Sequence, residues 1–340
     1  MALRDGYDCL LADLDGTLYL GSQPIPGAAD ALEASAQAVL YVTNNASRSP
    51  AEVALHLKEL GFQATDETVV TSSQAAARLL EEHVAPGSAV LVVGTEALAD
   101  EVRRVGMKPV RSADPQPAAV VQGHSVETAW PILAEAAYAI RGGAFWVAAN
   151  TDTTLPNERG LAPGNGSMVA ALRAATNRAP MVAGKPAAPL MKDALRRCGT
   201  QSALVVGDRI DTDIAGGNEV GLDSLLVLTG VSSPTDLLRA IVAQRPTFVA
   251  FTLDAINHPV SRVNSEWSAQ FDGTDIVLSG SGDPLVALAA TAPVAWAHPE
   301  FAHVRGADSA AEAALAAWEA RTSEGSTSAV AIPAATDNIS

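Results

Sequence analysis

Residues 10–18, Leu10-Leu11-Ala12-Asp13-Leu14-Asp15-Gly16-Thr17-Leu18, read as an apolar strand that ends in two carboxylates one residue apart. Two acids in so short a space repel each other, a cost tolerated at a strand end mainly where a cation, a transferring group or water compensates it. Gly16 lets the backbone turn sharply under whatever is bound. Taken alone, the pair also fits a polar strand-to-loop junction without chemistry, so the surrounding pattern has to decide.

Outward from that run, further strand-like segments fall at Ala38–Val42, Ala203–Val206, Ser224–Leu228 and Thr247–Phe251. Helix-length segments, Gly27–Ala36 and Ala51–Leu60 among them, alternate with the strands, and Gly61 supplies a C-cap for the second. That alternation predicts an α/β fold with a parallel sheet and crossover helices, in which ligands bind beyond the carboxyl ends of the strands. Residues 81–182 interrupt the series with their own strands at Ala89–Val93, Ala118–Val121 and Ala144–Ala148 and a helix over Ala129–Ile140. They predict a separate α/β unit inserted into the first. The stretch from Asn150 to Gly166, rich in Gly, Pro, Asn and Asp, reads as a long loop of the functional kind.

The expected division is therefore a core at 1–80 and 183–259, an insertion at 81–182 and a small α+β appendage at 260–322. In the appendage, Asp272-Gly273 between Trp267–Phe271 and Asp275–Ser279 is a hairpin signal. Ala307–Arg321 reads as an alanine-rich helix, and the small polar residues 323–340 as a disordered tail.

At 340 residues the chain exceeds the size at which one core normally keeps growing. A formal net charge of −16 argues against nucleic acid and anionic membrane surfaces as partners, since both are met by basic patches. No apolar stretch approaches the ~18 residues of a membrane span, and a cytoplasmic location is the expectation. Cys9 and Cys198 lie far apart without metal-ligand spacing, so neither a disulfide nor a zinc site is expected, and Cys9 reads as a small buried hydrophobe.

Three more segments carry chemistry. Tyr41-Val42-Thr43-Asn44-Asn45-Ala46-Ser47 places a hydroxyl and two amides at a strand end before a helix. Thr43 and nearby N–H groups suit phosphate oxygens there, while the same stretch also fits a helix N-cap by Ser47 or Ser49. Gly184-Lys185-Pro186 sets one cation on a stiff turn, fit to neutralise an anionic substrate, though a lone lysine is also commonly just solvated. Val205-Val206-Gly207-Asp208-Arg209-Ile210-Asp211-Thr212-Asp213 repeats the theme of a strand ending in acids. Asp208 beside Asp13 would complete a hard oxygen site of the kind Mg²⁺ prefers.

These four segments, in this order at strand ends, resemble the motifs of the haloacid dehalogenase superfamily of aspartate-nucleophile phosphatases. Ala148-Ala149-Asn150-Thr151-Asp152, Pro156, Gly160 and Pro163-Gly164-Asn165-Gly166 resemble its type IIA subfamily, and the likeness covers about residues 5–255. The resemblance implies a Rossmann-like doubly wound core with the insertion as a cap, and hydrolysis of small phosphorylated metabolites such as glycerol 3-phosphate, phosphoglycolate, pyridoxal phosphate or nucleotides. By the same resemblance Asp13 is the nucleophile and Asp15 the general acid and base, its pKa raised under the closed cap. Mg²⁺, or Mn²⁺ or Co²⁺ in its place, is held by Asp13, the Asp15 carbonyl and Asp208, with Asp213 as an outer support. Thr43, Asn44, Asn45 and Lys185 contact the phosphoryl group. Caps of the subfamily often mediate dimers, so a homo-oligomer is implied on that ground alone.

His124, Asp152 and Arg159 are polar cap residues placed for substrate contact or for plain loop capping. Gly123-His124-Ser125 and Ala149 depart from the subfamily pattern, and both bear on substrate identity, not on the core reaction. The appendage resembles a remnant of an N-acetyltransferase. At ~60 residues, with no Gly-rich pyrophosphate loop, it is expected to be a packing or contact element and not a second enzyme. The rival of another class is a phosphate-ester-binding sensor, against which the retention of both Asp13 and Asp15 argues.

Overall fold

The computed structural model describes residues 1–33, 37–157, 159–321 and 326–333. The fold is α/β with a parallel-sheet core, and the chain divides into two compact units, Met1–Leu40 with Cys198–Ser340, and Tyr41–Arg197. The expected insertion lies wholly within the second, which also takes in residues 41–80 and 183–197. No described helix is long and apolar enough to cross a membrane.

In the first unit the strands Cys9–Ala12, Ala203–Gly207, Asp223–Val227 and Phe248–Ala250 run parallel, each paired with the next. Their residues are almost all buried, as expected of parallel strands covered on both faces. The register sets Cys9 opposite Ala203 and Ala12 opposite Val206, so Asp13 and residue 207 leave the sheet side by side.

Two expectations fail in this unit. Residues 326–333 belong to the fold: Val330–Ala331 pairs antiparallel with Phe248–Ala250 and parallel with Ser261–Arg262, and Ala329 and Val330 are buried. The segment is too short for its alternation to stand out from the polar residues around it. The rest of the expected tail, 322–325 and 334–340, lies outside the described residues, as do 34–36 at the end of the first predicted helix. Cys9 and Cys198, expected to be unlinked, form a disulfide across 189 residues of sequence. Cys9 is fully buried as expected, but the pairing of Cys9 with Ala203 brings the end of the preceding helix, Ala188–Cys198, close, a proximity that linear separation hides.

The appendage contains the predicted hairpin, Trp267–Phe271 with Ile276–Gly280, and the predicted helix, Ser309–Ala320. It also contains a helix not foreseen, Pro284–Ala297, capped by the Asp283 carboxylate. Its sequence is apolar all round and so shows no amphipathic period; such a helix is buried, and this one packs among Leu226, Leu228, Val249 and Phe251 of the sheet strands and their ends. The appendage thus shares one hydrophobic core with the sheet.

The second unit holds a five-stranded parallel sheet in the order Met181–Val182, Phe145–Ala148, Ala119–Gln122, Ala89–Val93, Lys108–Val110. Helices Trp130–Arg141 and Asn165–Thr176 cover one face through Ile140, Val169 and Leu172 against Leu91, Val120 and Trp146. Tyr41–Thr43 pairs in parallel with Val69–Thr71 in the same unit. The predicted loop from Asn150 to Gly166 is partly regular: Thr154–Asn157 and Gly160–Pro163 form a hairpin, and Asn165 opens a helix. Its Pro and Gly content marks the hairpin's turns and ends, which composition alone reads as loop.

Candidate active site

The first strand delivers Asp13 at its carboxyl end, fixed by its N–H donating to the Val206 carbonyl at 2.8 Å. Asp208 follows the strand Ala203–Gly207 directly. A single π-type turn over Ile210–Ile214 then widens the helix entry and swings Asp213 back toward the strand end. Oxygens of Asp13, Asp208 and Asp213 all lie within 4.8 Å of one another, Asp208 and Asp213 being buried. Asp213, expected as an outer support, therefore sits in the cluster itself. Asp15 is exposed, and its carboxylate is outside the cluster.

Backbone holds these acids. The Val231 N–H donates to Asp208 Oδ2 at 2.6 Å, and the Arg209 N–H donates to Asp213 Oδ2 at 3.1 Å. The Arg209 guanidinium is turned to Asp211, 2.7 Å away. Three glycines make room: a Cβ would stand 2.3 Å from Asp208 Oδ2 at Gly16, 2.1 Å from it at Gly230, and 2.3 Å from Asp213 Cβ at Gly207. Gly16 also carries φ +88°, in the left-handed region. The Thr229 hydroxyl donates to the Gly16 carbonyl at 2.6 Å, binding the loop after Asp223–Val227 to the loop after the first strand. Three convergent carboxylates, with no soft ligand beside them among the described residues, suit a hard divalent cation.

The second unit builds another group. Thr43 ends its strand and its Oγ1 accepts the Asn45 N–H at 3.0 Å; Asn45 Oδ1 accepts from the N–H and hydroxyl of Ser47, each at 2.8 Å. Ser49, not Ser47, caps the next helix, in a box with Glu52. Strand-end loop and helix cap thus coexist, each using different residues.

Asn44 has a task the sequence did not announce. Its Oδ1 accepts the Lys185 N–H at 2.8 Å, and its Nδ2 donates to the Lys185 carbonyl at 3.0 Å and to Asp152 Oδ2 at 3.2 Å. The Asn44 carbonyl accepts from the Ser72 hydroxyl and the Asn150 amide, and Asn165 in turn donates to the Asn150 carbonyl at 2.7 Å. Gly184 is needed beside it, since a Cβ there would lie 2.5 Å from Asn44 Oδ1. The Asn44 side chain is thus committed to Lys185, whose own side chain is buried, with Nζ donating to the Val42 carbonyl at 3.0 Å.

Of the cap candidates, Asp152 joins this network, Arg159 is exposed, and burial pushes the His124 pKa below its usual range, leaving a neutral imidazole at pH 7. Ser72, Asn150, Asn165, Gly230 and Val231 were not assigned roles from sequence. Asn150 and Asn165 had a signal in the motif that carried the subfamily resemblance; the loop at 229–231 had none beyond its place after a strand.

Residues 10–108 match the haloacid dehalogenase-like hydrolase family and 182–256 the haloacid dehalogenase hydrolase-like family. A D-glycerol 3-phosphate phosphatase of Mycobacterium tuberculosis is 49% identical over 95% of this chain and 97% of its own length. The chain belongs to the haloacid dehalogenase-like hydrolases. An acid sugar phosphatase of Staphylococcus aureus is 37% identical over 68% of this chain and 90% of its own. The crystal structure of glycerol phosphate phosphatase from M. tuberculosis in complex with magnesium superposes with a TM-score of 0.88 at 50% identity, covering 94% of this chain and 98% of that one. A p-nitrophenyl phosphatase from Archaeoglobus fulgidus gives 0.67 at 30% identity over 73% of this chain and 97% of that one. Residues 264–319 match a GCN5-related N-acetyltransferase like domain.

Proposed function

We propose that the chain is a Mg²⁺-dependent phosphatase whose substrate is D-glycerol 3-phosphate. The observation that carries this is the convergence of Asp13, Asp208 and Asp213 at strand ends, in a chain 49% identical along nearly its whole length to an enzyme of that activity. The donor set fits the metal: three carboxylate oxygens, two of them on buried residues, are hard ligands of the type Mg²⁺ takes. Asp13, Asp208 and Asp213 would hold it together with the Asp15 carbonyl. When bound, it draws negative charge from the phosphoryl oxygens and offsets the repulsion among the acids.

An Asp13 carboxylate oxygen attacks phosphorus as the bond from phosphorus to the glycerol oxygen breaks, leaving an aspartyl-phosphate. Asp15 gives its proton to the departing alkoxide. It then takes a proton from the water that attacks the aspartyl-phosphate, releasing inorganic phosphate and restoring both acids. Exposure of the Asp15 side chain, outside the acid cluster, supports this division of labour, since a proton carrier has to reach the leaving group and water. Lys185, Thr43 and Asn45 bind the phosphoryl oxygens, while Asn44 positions Lys185. The cap residues His124 and Asp152 bear on which alcohol is accepted.

Phosphate release from Asp13→Asn at saturating Mg²⁺ tests the covalent route, because the amide is nearly isosteric but not nucleophilic. A fall of about 10³-fold or more is expected. Near-native turnover would refute the mechanism. For the parent enzyme, a panel of C2–C6 phosphate esters ranked by kcat/KM is expected to place D-glycerol 3-phosphate first. Tight binding of these esters without Mg²⁺-dependent release of phosphate would instead identify a sensor.

A further inference from the structure

The loop that grips Asp208 is itself gripped by the C-terminal appendage. Residues 229–233 hold the acid cluster through the Val231 N–H on Asp208 Oδ2, the Ser232 N–H on the Asp208 carbonyl at 3.1 Å, and the Ser232 hydroxyl, which accepts the Ile210 N–H at 3.1 Å. Gly230 sits so close to Asp208 that no side chain fits there. The loop runs straight into the short helix Pro234–Leu238. That helix is tied to the appendage by the Trp296 indole donating to the Leu237 carbonyl at 2.9 Å. Just beyond it, Arg239 donates to the carbonyls of Phe301 and Ala302 at 3.2 Å each.

The other end of the loop is tied to the appendage as well. Arg321, the residue that closes the helix Ser309–Ala320, donates from its guanidinium to the Gly230 carbonyl. A groove of about 650 Å³, lined by Ser233, Leu238 and Arg239 on one side and by Phe301, Trp318 and Arg321 on the other, lies between the helix Pro234–Leu238 and the appendage here. Leu238, Phe301 and Trp318 of its lining belong to one buried apolar cluster, and Arg239 and Arg321 add polar ties beside it.

We infer that Arg321 is a positioning residue for the acid cluster: by anchoring the Gly230 carbonyl it fixes the peptide group whose own N–H, that of Val231, donates to Asp208. The acetyltransferase-like appendage then serves the phosphatase as a brace for one wall of its metal site. This inference rests on the assignment of the cluster as that site. Outer partners of metal ligands are worth about 10- to 100-fold in metal affinity or activity, and one bond removed from Asp208 belongs at the lower end of that range.

Arg321 has φ +51°, which glycine adopts without cost, so Arg321→Gly removes the tether while suiting the helix end. In the full chain, its metal-free melting temperature is expected to stay at or above that of the parent. Its Kd for Mg²⁺, measured by calorimetry with the metal alone, is expected to rise about 10-fold. kcat falls while KM for D-glycerol 3-phosphate stays within about twofold, the split expected when positioning is lost and substrate contacts are kept. Arg321→Lys, which keeps a donor of similar length, recovers most of the loss. Trp318→Phe, in the helix that Arg321 closes, deletes the indole bond to the Pro284 carbonyl of the helix Pro284–Ala297 and lowers the melting temperature without moving the Mg²⁺ affinity.

Parent-like Mg²⁺ affinity and kcat in Arg321→Gly would overturn the inference, as would an equal loss of Mg²⁺ affinity in Trp318→Phe, which would assign the effect to appendage stability at large. Asp208→Asn separates the two levels. It should abolish Mg²⁺ binding, and if it does not, the metal-site assignment fails and the tether with it.

Discussion

Around Asp13, Asp208 and Asp213 the backbone does the positioning, whereas around Lys185 side-chain amides do it. The first region sets acids against peptide N–H groups and glycines that admit no side chain; the second threads Asn44, Asn150 and Asn165 into a relay of amides ending on the lysine's own peptide. Mutually repelling charges need a rigid frame that gives no room for them to part, and peptide groups clamped by two loops provide it. A single cation needs only one orientation: a side chain holds its peptide, and the Val42 carbonyl takes its ammonium. The first arrangement therefore breaks by crowding, and the second by truncation.

Lys185→Met removes the charge and keeps the stem. Turnover is expected to fall about 10²–10³-fold, as for other electrostatic contacts to a transferring group. Because the ammonium is buried, and its desolvation opposes folding, the melting temperature should hold or rise. A parallel fall in stability would show that Lys185 is structural.

Gly230→Ala tests crowding. The new Cβ would stand 2.1 Å from Asp208 Oδ2 and 2.7 Å from Gly16 Cα, so either the carboxylate or the backbone has to move. Displacement of about 1 Å costs on the order of 10²-fold in turnover, and overpacking about 1–3 kcal/mol in stability. Unlike in Lys185→Met, both quantities fall together, and unchanged chemical denaturation would mean that the glycine contact is not tight.

Asn44→Ala addresses the relay. Lys185 keeps its charge but loses both bonds to its peptide, so kcat is expected to fall about 10-fold, less than on removing the lysine. The orphaned Lys185 peptide costs a further ~1–3 kcal/mol. An effect on turnover as large as that of Lys185→Met would mean that Asn44 itself touches the phosphoryl group.

The same contrast explains what was legible in the sequence. Asp13 and Asp208 could be read because each ends an apolar strand, and a strand end is a local pattern. Lys185 and Asn44 could be found as motif members, but their partnership could not, since an amide side chain looks the same whether it meets a ligand or a peptide 141 residues away. The approach of Asp213 to Asp13 and Asp208 was not legible, because the π-type turn over Ile210–Ile214 has no signature in residue type. Gly230, Val330 and the Cys9–Cys198 bond were missed for the same reason: each acts through a neighbour supplied by the fold and not by the sequence beside it.

Asp272 shows what backbone donors, with a cation beside them, do for a carboxylate outside the acid cluster. It turns the hairpin of the appendage and accepts the N–H of Asp275 at 2.9 Å and of Thr274 at 3.0 Å, with Arg305 at 2.8 Å. The Asp275 N–H, then Arg305 and the Thr274 N–H, draw its pKa down to about 2. Since the folded value lies below the unfolded one of about 3.9, the ionised form favours the fold: its contribution is complete above pH ~4 and is lost as the pH falls toward 2. Asp272→Asn is accordingly expected to lower the melting temperature by about 1–2 °C at pH 7, and the gap between variant and parent should close between pH 4 and 2. Turnover should not change, because the groups that hold Asp272 are the N–H groups of Thr274 and Asp275 and the Arg305 guanidinium, and not those that hold Asp208 and Asp213. A gap that persists at pH 2 would trace the loss to turn geometry, and the parallel with the N–H groups that hold Asp208 and Asp213 would then lose its electrostatic basis.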